Sequence, residues 1–304
     1  MQVYISLGPD QQSVAADARH AEDAGFDGVS WGEHLFFHGA TPNSFITMAA
    51  AAGATSRVRL LSSVVILPLY PAALAAKLAT TLDQVSGGRF DFGVGVGGEF
   101  PAEFTAAGVD VRTRGKRMDE SLAVLRELWT GKQVDFDGDF ARIPGLALEP
   151  QPVQQGGPPV WLGGRRPAAI TRAGRHADVW LPYMYSPEQL ADSLAQVRTE
   201  AEKAGRDPAA VRGAIFCWGG VGEDAAESRR EVVEGVGGTY QQDFERIADR
   251  YLLHGNPDQV LARLAEYRDA GAETVVFSPV GEDERRKEIV DLFVQAVLPD
   301  LQSW

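Results

Sequence analysis

The chain is expected to fold as a (β/α)8 TIM barrel of the α/β class, one domain over residues 1–304 with an insertion at about 132–158, before strand five. Three observations lead there. Short β-rich runs alternate with amphipathic helical stretches, the pattern of a parallel α/β fold. Eight such repeats fit in 304 residues, an ordinary length for a one-domain barrel. The first strand-to-helix turn, "SLGPDQQ", lacks the G-x-G-x-x-G expected of the alternative, a doubly wound open sheet.

"VYISL" (3–7) is the first strand, and "QSVAADARHAEDAG" (12–25) is a helix stopped by Gly25. "GVSW" (28–31) is the second strand. The helical "SFITMAAAAGATS" leads to the third, "RVRLLSSVVIL" (57–67). Pro71 opens the next helix where its missing N–H does no harm. Leu74, Leu78, Leu82 and Val85 give that helix an apolar stripe, and Gly87 and Gly88 end it. "RFDFGVGVG" is strand four. A helix over about 114–130 carries Met118, Leu122, Leu125 and Trp129 on one side and stops at Gly131. "VDFDGDFARI" reads as a hairpin turning near Asp137 and Gly138, and "PGLALEPQPVQQGGPP" as an irregular excursion. "VWLGG" (160–164), "ADVWLP", "RGAIFCW" and "ETVVFSP" are strands five to eight, with helices around 187–205, 223–250, 257–271 and 284–298.

Composition narrows the function. A net charge of -13 argues against nucleic acid or an anionic membrane as partner, because both need clustered Lys and Arg. The lone cysteine, Cys217, permits no intramolecular disulfide and sits in the apolar "AIFCW" as a packed small residue. The start "MQVYISLGPD" has no basic n-region, and the apolar runs fall short of the ~20 residues of a membrane span, so a soluble cytoplasmic protein is expected. H-E-x-x-H, C-x-x-C, G-x-S-x-G and P-loop patterns are missing, which disfavours a metal centre, a serine hydrolase and ATP chemistry.

In a barrel the active site lies where strands end and βα loops begin. That rule gathers Trp31, Glu33 and His34 after strand two, and Ser62 and Ser63 after strand three. It adds Gly97, Gly98 and Glu99 after strand four, and Gly163, Gly164 and Arg165 after strand five. Tyr183 and Tyr185 follow strand six, and Trp218 strand seven. A His beside a carboxylate is suited to proton transfer near neutral pH. In "VWLGGRRPAAITRAG" two glycines end a strand, Arg165 and Arg166 follow, and Pro167 begins a helix whose free N–H groups suit a phosphate. A Gly turn with solvated arginines is the alternative reading of the same residues.

The sequence resembles the bacterial luciferase-like superfamily of flavin- and deazaflavin-dependent TIM-barrel oxidoreductases. The resemblance spans about residues 12 to 280. It is carried, in order, by "GFDGVSWGEH", "SSVVILPLYPAALAAKLATTLDQVSGGRFDFGVGVG", "RGKRMDESLAVLRELWTG" and "VWLGGRRPAAITRAGRHADVW". It implies a cofactor in the barrel mouth, either coenzyme F-420 (8-hydroxy-5-deazaflavin) or FMN, and "ATTLDQVSGGR" is most similar to members that use F-420. Glu33 stands where that group usually has Asp. The resemblance implies His34 as proton donor or acceptor, Glu33 beside the ring, and Glu99 as a further acid. It implies a cis peptide at Ser63–Val64 against the ring, Gly97 and Gly98 bordering it, and Gly163, Gly164 and Arg165 holding the cofactor phosphate.

The leading expectation is an F-420-dependent oxidoreductase that moves a hydride between the deazaflavin and a small organic substrate. Phe36, Phe37, Phe100, Tyr183 and Trp218 are expected to wall the substrate pocket. The alternatives are an FMN-dependent monooxygenase supplied with reduced flavin by a separate reductase, and a barrel that binds cofactor without catalysis. The resemblance also implies a homodimer.

Overall fold

A computed structural model describes residues 1–304, the side chain of Asp283 excepted. The strands are β1 (Gln2–Ser6), β2 (Gly28–Trp31), β3 (Arg59–Ser62), β4 (Val65–Ile66), β5 (Phe90–Gly95), β6 (Val134–Asp137), β7 (Arg142–Leu146), β8 (Val160–Leu162), β9 (Val179–Trp180), β10 (Arg212–Gly219) and β11 (Ala272–Pro279). Helices α1 (Val14–Ala24), α2 (Ser44–Ala54), α3 (Ala72–Val85), α4 (Pro101–Ala106), α5 (Arg114–Leu128) and α6 (Pro167–His176) belong to the first part of the chain. The second part carries α7 (Pro187–Lys203), α8 (Ala225–Tyr240), α9 (Ala248–Tyr251), α10 (Pro257–Asp269), α11 (Asp283–Ala296) and α12 (Leu298–Ser303).

The sheet runs β3-β2-β1-β11-β10-β9-β8-β5-β4, all parallel, and β3 also pairs β5. Since β3 and β4 are halves of one strand, this order closes an eight-stranded barrel. The antiparallel hairpin β6–β7 stands between α5 and the fifth barrel strand, β8, with Gly138 N–H donating to Ala141 O across its turn at 2.9 Å. No helix among the described residues is long and apolar enough to cross a membrane.

Two apolar layers hold the barrel. Outside it, helix and strand faces share one large core that includes Phe45, Phe92, Trp129 and Phe277. Inside it, Tyr4, Leu61, Trp161, Val179, Leu181, Ala214 and Val276 form a second cluster. Those residues come from β1, β3, β8, β9, β10 and β11 and from the end of β9, so their side chains point at the axis. Strand side chains alternate with period two, so this cluster fixes which positions above and below it also face inward.

Three expected elements differ. The third strand is not continuous over 57–67: it breaks at Ser63–Val64, whose peptide bond is cis, and Ser62 Oγ bridges the break by bonding Gly93 O and Gly93 N, each at 2.9 Å. The helix expected over 223–250 stops at Gln241, which adopts a left-handed conformation (φ 53°), and only the short α9 follows. In α3 the stripe is rotated from the expected one. Ala72, Ala75, Ala76, Ala79 and Leu82 are buried, whereas Leu74 and Val85 are exposed. Alanines over most of the inner face let this helix lie close against the barrel wall, with Leu82 packed inward among them, while Leu74 and Val85 turn outward.

Candidate active site

At the C-terminal end of the barrel the inward positions become small on β1, β2, β3, β5, β8 and β11, whereas on β10 Ala214 is followed by Phe216 and Trp218. Continuing the alternation from Tyr4, Leu61, Trp161 and Val276 reaches Ser6, Ser63, Gly163 and Ser278; Ser30, Gly93 and Gly95 join them from β2 and β5. Ser6 Oγ and Ser30 Oγ bond each other at 3.0 Å. A side chain at Gly95 would come within 2.7 Å of a Val64 methyl, and one at Gly163 would stand 3.9 Å from the other methyl. The cis bulge and these glycines therefore face one another across a shallow floor. Ser63 Oγ is buried there and has no partner among the described residues.

The end of β2 sends two functional groups to opposite sides. Trp31 and Glu33 take the outward parity, and His34 the inward one. Glu33 is 7% exposed. Its Oε2 accepts from Asn43 Nδ2 (3.0 Å), Ser44 N (3.2 Å) and Tyr70 OH (3.1 Å), and its Oε1 from Ile66 N (3.3 Å). Burial outweighs these donors and raises the carboxyl above its ordinary range. Burial, with Glu33 alongside, also raises the Tyr70 phenol. Glu33 thus ties the start of α2 to β4, just behind the cis bulge.

His34 meets a carboxylate that no sequence pattern marked. Glu103, on α4, is fully buried, with oxygens 3.2 and 3.3 Å from His34 Nδ1, and it also accepts the Leu35 N–H at 3.1 Å. A carboxylate there accepts a hydrogen bond from Nδ1–H and so leaves Nε2 as the working nitrogen. The imidazole stacks on Phe37 at 4.1 Å between centroids.

Aromatic rings continue from Phe37. Phe100 and Tyr240 meet its edge at 6.4 and 6.2 Å, Trp218 donates from Nε1 to Tyr240 OH at 3.2 Å, and Phe216 packs on Trp218 at 5.4 Å. Phe36 stands apart, 54% exposed, and has no ring partner among the described residues. Glu99 accepts a hydrogen bond from Tyr183 OH, and the Arg165 guanidinium lies 4.8 Å from the Tyr183 ring centroid. Burial, reinforced by Glu99, raises the phenols of both Tyr183 and Tyr240, so they act as neutral hydroxyls. Sequence reasoning missed Glu103, Tyr70 and Tyr240.

Gly163, Gly164 and Arg165 run from β8 into α6. Gly164 has φ 110°, and its carbonyl accepts from Trp180 Nε1 at 3.1 Å. The α6 N-cap, Arg166, makes no side-chain cap bond, whereas α7 and α10 each begin with a complete capping box. Among the described residues, the N–H groups of Gly164, Arg165, Arg166 and Ala168 have no protein acceptor. Gly97 and Gly98, both at positive φ, line the rim after β5, with Arg114 Nε 2.8 Å from where a Gly98 side chain would begin. A flat Gly/Ser floor, an orphaned Ser63 hydroxyl and an uncapped helix start suit a planar ring carrying a phosphate. Cys217, by contrast, is buried in β10, with its thiol pushed up to about 12 by burial.

The family model described as luciferase-like monooxygenase matches residues 3–274. At 28% identity the chain is similar to an F-420-dependent glucose-6-phosphate dehydrogenase of Nocardia farcinica, over 93% of this chain and 92% of that one. A solved monooxygenase from Streptomyces bottropensis is similar with TM-score 0.87 and 26% identity over 99% of both chains. A coenzyme F-420-dependent tetrahydromethanopterin reductase from Methanopyrus kandleri shares the fold, with TM-score 0.83 and 20% identity over 99% of both. The chain belongs to the luciferase-like monooxygenase family.

Proposed function

We propose that this protein is a coenzyme F-420-dependent oxidoreductase acting on a small organic substrate. The observation that carries the proposal is the His34–Glu103 pair at the rim of a Gly/Ser floor. The similarity to the Nocardia dehydrogenase favours F-420. Bound in the mouth, the deazaflavin supplies the hydride chemistry. The Gly163–Arg165 turn and the first amides of α6 hold its phosphate. Ser63 and Val64 support the ring, Gly97 and Gly98 border it, and Glu33 fixes the backbone behind the bulge. His34 Nε2 exchanges the proton with the substrate oxygen, and Glu103 sets the tautomer. Phe37, Phe100, Tyr240 and Trp218 exclude water.

His34→Ala should lower kcat by about 100-fold or more while the cofactor dissociation constant stays within about threefold. Unchanged turnover in that variant would remove His34 from the mechanism. A second reading, an FMN-dependent monooxygenase fed by a separate reductase, draws on the similarity to the Streptomyces monooxygenase.

A homodimer belongs to the same proposal. Ile46 on α2 is 70% exposed, and Leu74 and Val85 on α3 are 48% and 59% exposed. These two helices pack side by side, so their outer faces form an apolar surface suited to a second copy. Light scattering should give twice the chain mass for the native protein and a lower mass for Ile46→Glu/Leu74→Glu.

A further inference from the structure

Resting on the site proposed above, we infer that the mouth takes an uncharged, largely apolar alcohol or ketone and rejects phosphorylated substrates. The substrate side of the rim, next to His34 Nε2, is a chain of rings: Phe37, Phe100, Tyr240, Trp218 and Phe216. The polar groups among them are the imidazole of His38, edge-on to Phe37 and Phe100 at 5.0 and 5.6 Å between centroids, the indole N–H of Trp218, already given to Tyr240, and the hydroxyls of Tyr183 and Tyr240. A phosphate dianion needs cations or convergent backbone N–H groups to replace its water.

Beside Tyr183 this rim confronts an anion with the carboxylate of Glu99, which accepts from Tyr183 OH. Arg165 is committed elsewhere: it lies over the Tyr183 ring, donates to Met184 O at 3.1 Å, and belongs to the turn assigned to the cofactor phosphate. Lys77, Lys116, Lys132, Lys203 and Lys287 all lie outside the loops that follow barrel strands. Arg112 is paired with Asp110, Arg114 beside Gly98 donates to Val111 O at 2.8 Å, and Arg285 is paired with Glu231 and Glu288. Arg286 donates to the carbonyls of Ser6 and Pro279. A phosphate beside Trp218 would lose its hydration and face Glu99. The sugar phosphate named for the Nocardia relative is therefore a poor guide to this chain's substrate.

A matched pair of ligands tests the inference: cyclohexanol and cyclohexyl phosphate, each titrated into protein saturated with F-420, with glucose 6-phosphate as a third ligand. Failure of F-420 itself to bind would count against the cofactor assignment, and the same titrations on the protein alone, followed by tryptophan fluorescence, still read the rim. Cyclohexanol should bind saturably, and both phosphate esters at least about 30-fold more weakly. Glu99→Gln should narrow that gap to below about tenfold. Equal or tighter binding of a phosphate ester would overturn the inference. So would the absence of saturable binding by cyclohexanol, or an unchanged gap in a folded Glu99→Gln protein.

Discussion

At the foot of the barrel, Asp91 accepts from Tyr4 OH at 3.0 Å and from Arg59 Nε and Nη2 at 2.7 and 2.5 Å, and the Tyr4 ring packs on Trp161 at 5.5 Å. At the mouth β1, β2, β5 and β8 give way to Ser6, Ser30, Gly95 and Gly163; among the described residues Ser63 Oγ finds no partner, and α6 starts without a side-chain cap. Both ends are equally well framed by the parallel ladder. The foot is filled by bulky rings around a satisfied ion pair, with the buried Trp161 Nε1 as its one unpartnered polar atom among these described residues, whereas the mouth keeps open space lined by Ser and Gly. The difference separates residues that hold the fold from residues that hold a ligand.

The largest effect should come from breaking the foot. Asp91→Ala leaves the Arg59 guanidinium and the Tyr4 hydroxyl without their partner inside the barrel, at a cost of about 3–5 kcal/mol in denaturant unfolding. Protein that remains folded should bind cofactor as the native chain does, because the mouth is untouched. Next, Glu103→Gln at the mouth should lower kcat by about tenfold and displace the pH–rate profile, with little change in cofactor affinity or unfolding midpoint. A positioning role predicts that split, whereas a merely structural one predicts loss of stability with an unmoved profile.

The smallest effect concerns Glu33, whose carboxyl is held above the ordinary glutamate range in the folded chain by burial. Between its unfolded and folded pKa values the native state holds more protons than the unfolded state, so Glu33's contribution to stability falls as pH rises through that window. The native protein should therefore lose stability relative to Glu33→Gln from pH 5 toward pH 8. Parallel unfolding curves for the two proteins at both pH values would show that Glu33 titrates normally.

Much of this contrast is legible in the sequence, because it depends on period-two alternation and on where strands stop. "RLLSS", "FDFGVG" and "VWLGG" already carry bulky residues followed by Ser or Gly. The ends of β2 and β8 mark His34 and the Gly163–Arg165 turn. What escaped has physical causes. Glu103 sits on a six-residue helix, too short to show a period, and it reaches His34 from 69 positions away. Tyr240 closes α8 only because Gln241 turns left-handed, which a continuous helical pattern over 223–250 concealed. The α3 stripe misled because leucines outrank alanines in hydrophobicity, whereas close approach to the barrel selects for size.

Equilibrium titration of the purified protein with F-420 and with FMN, followed by cofactor fluorescence, tests the central claim most directly. Saturable binding of F-420, with FMN at least about tenfold weaker, is the predicted result. Tight FMN binding without detectable F-420 binding would contradict it.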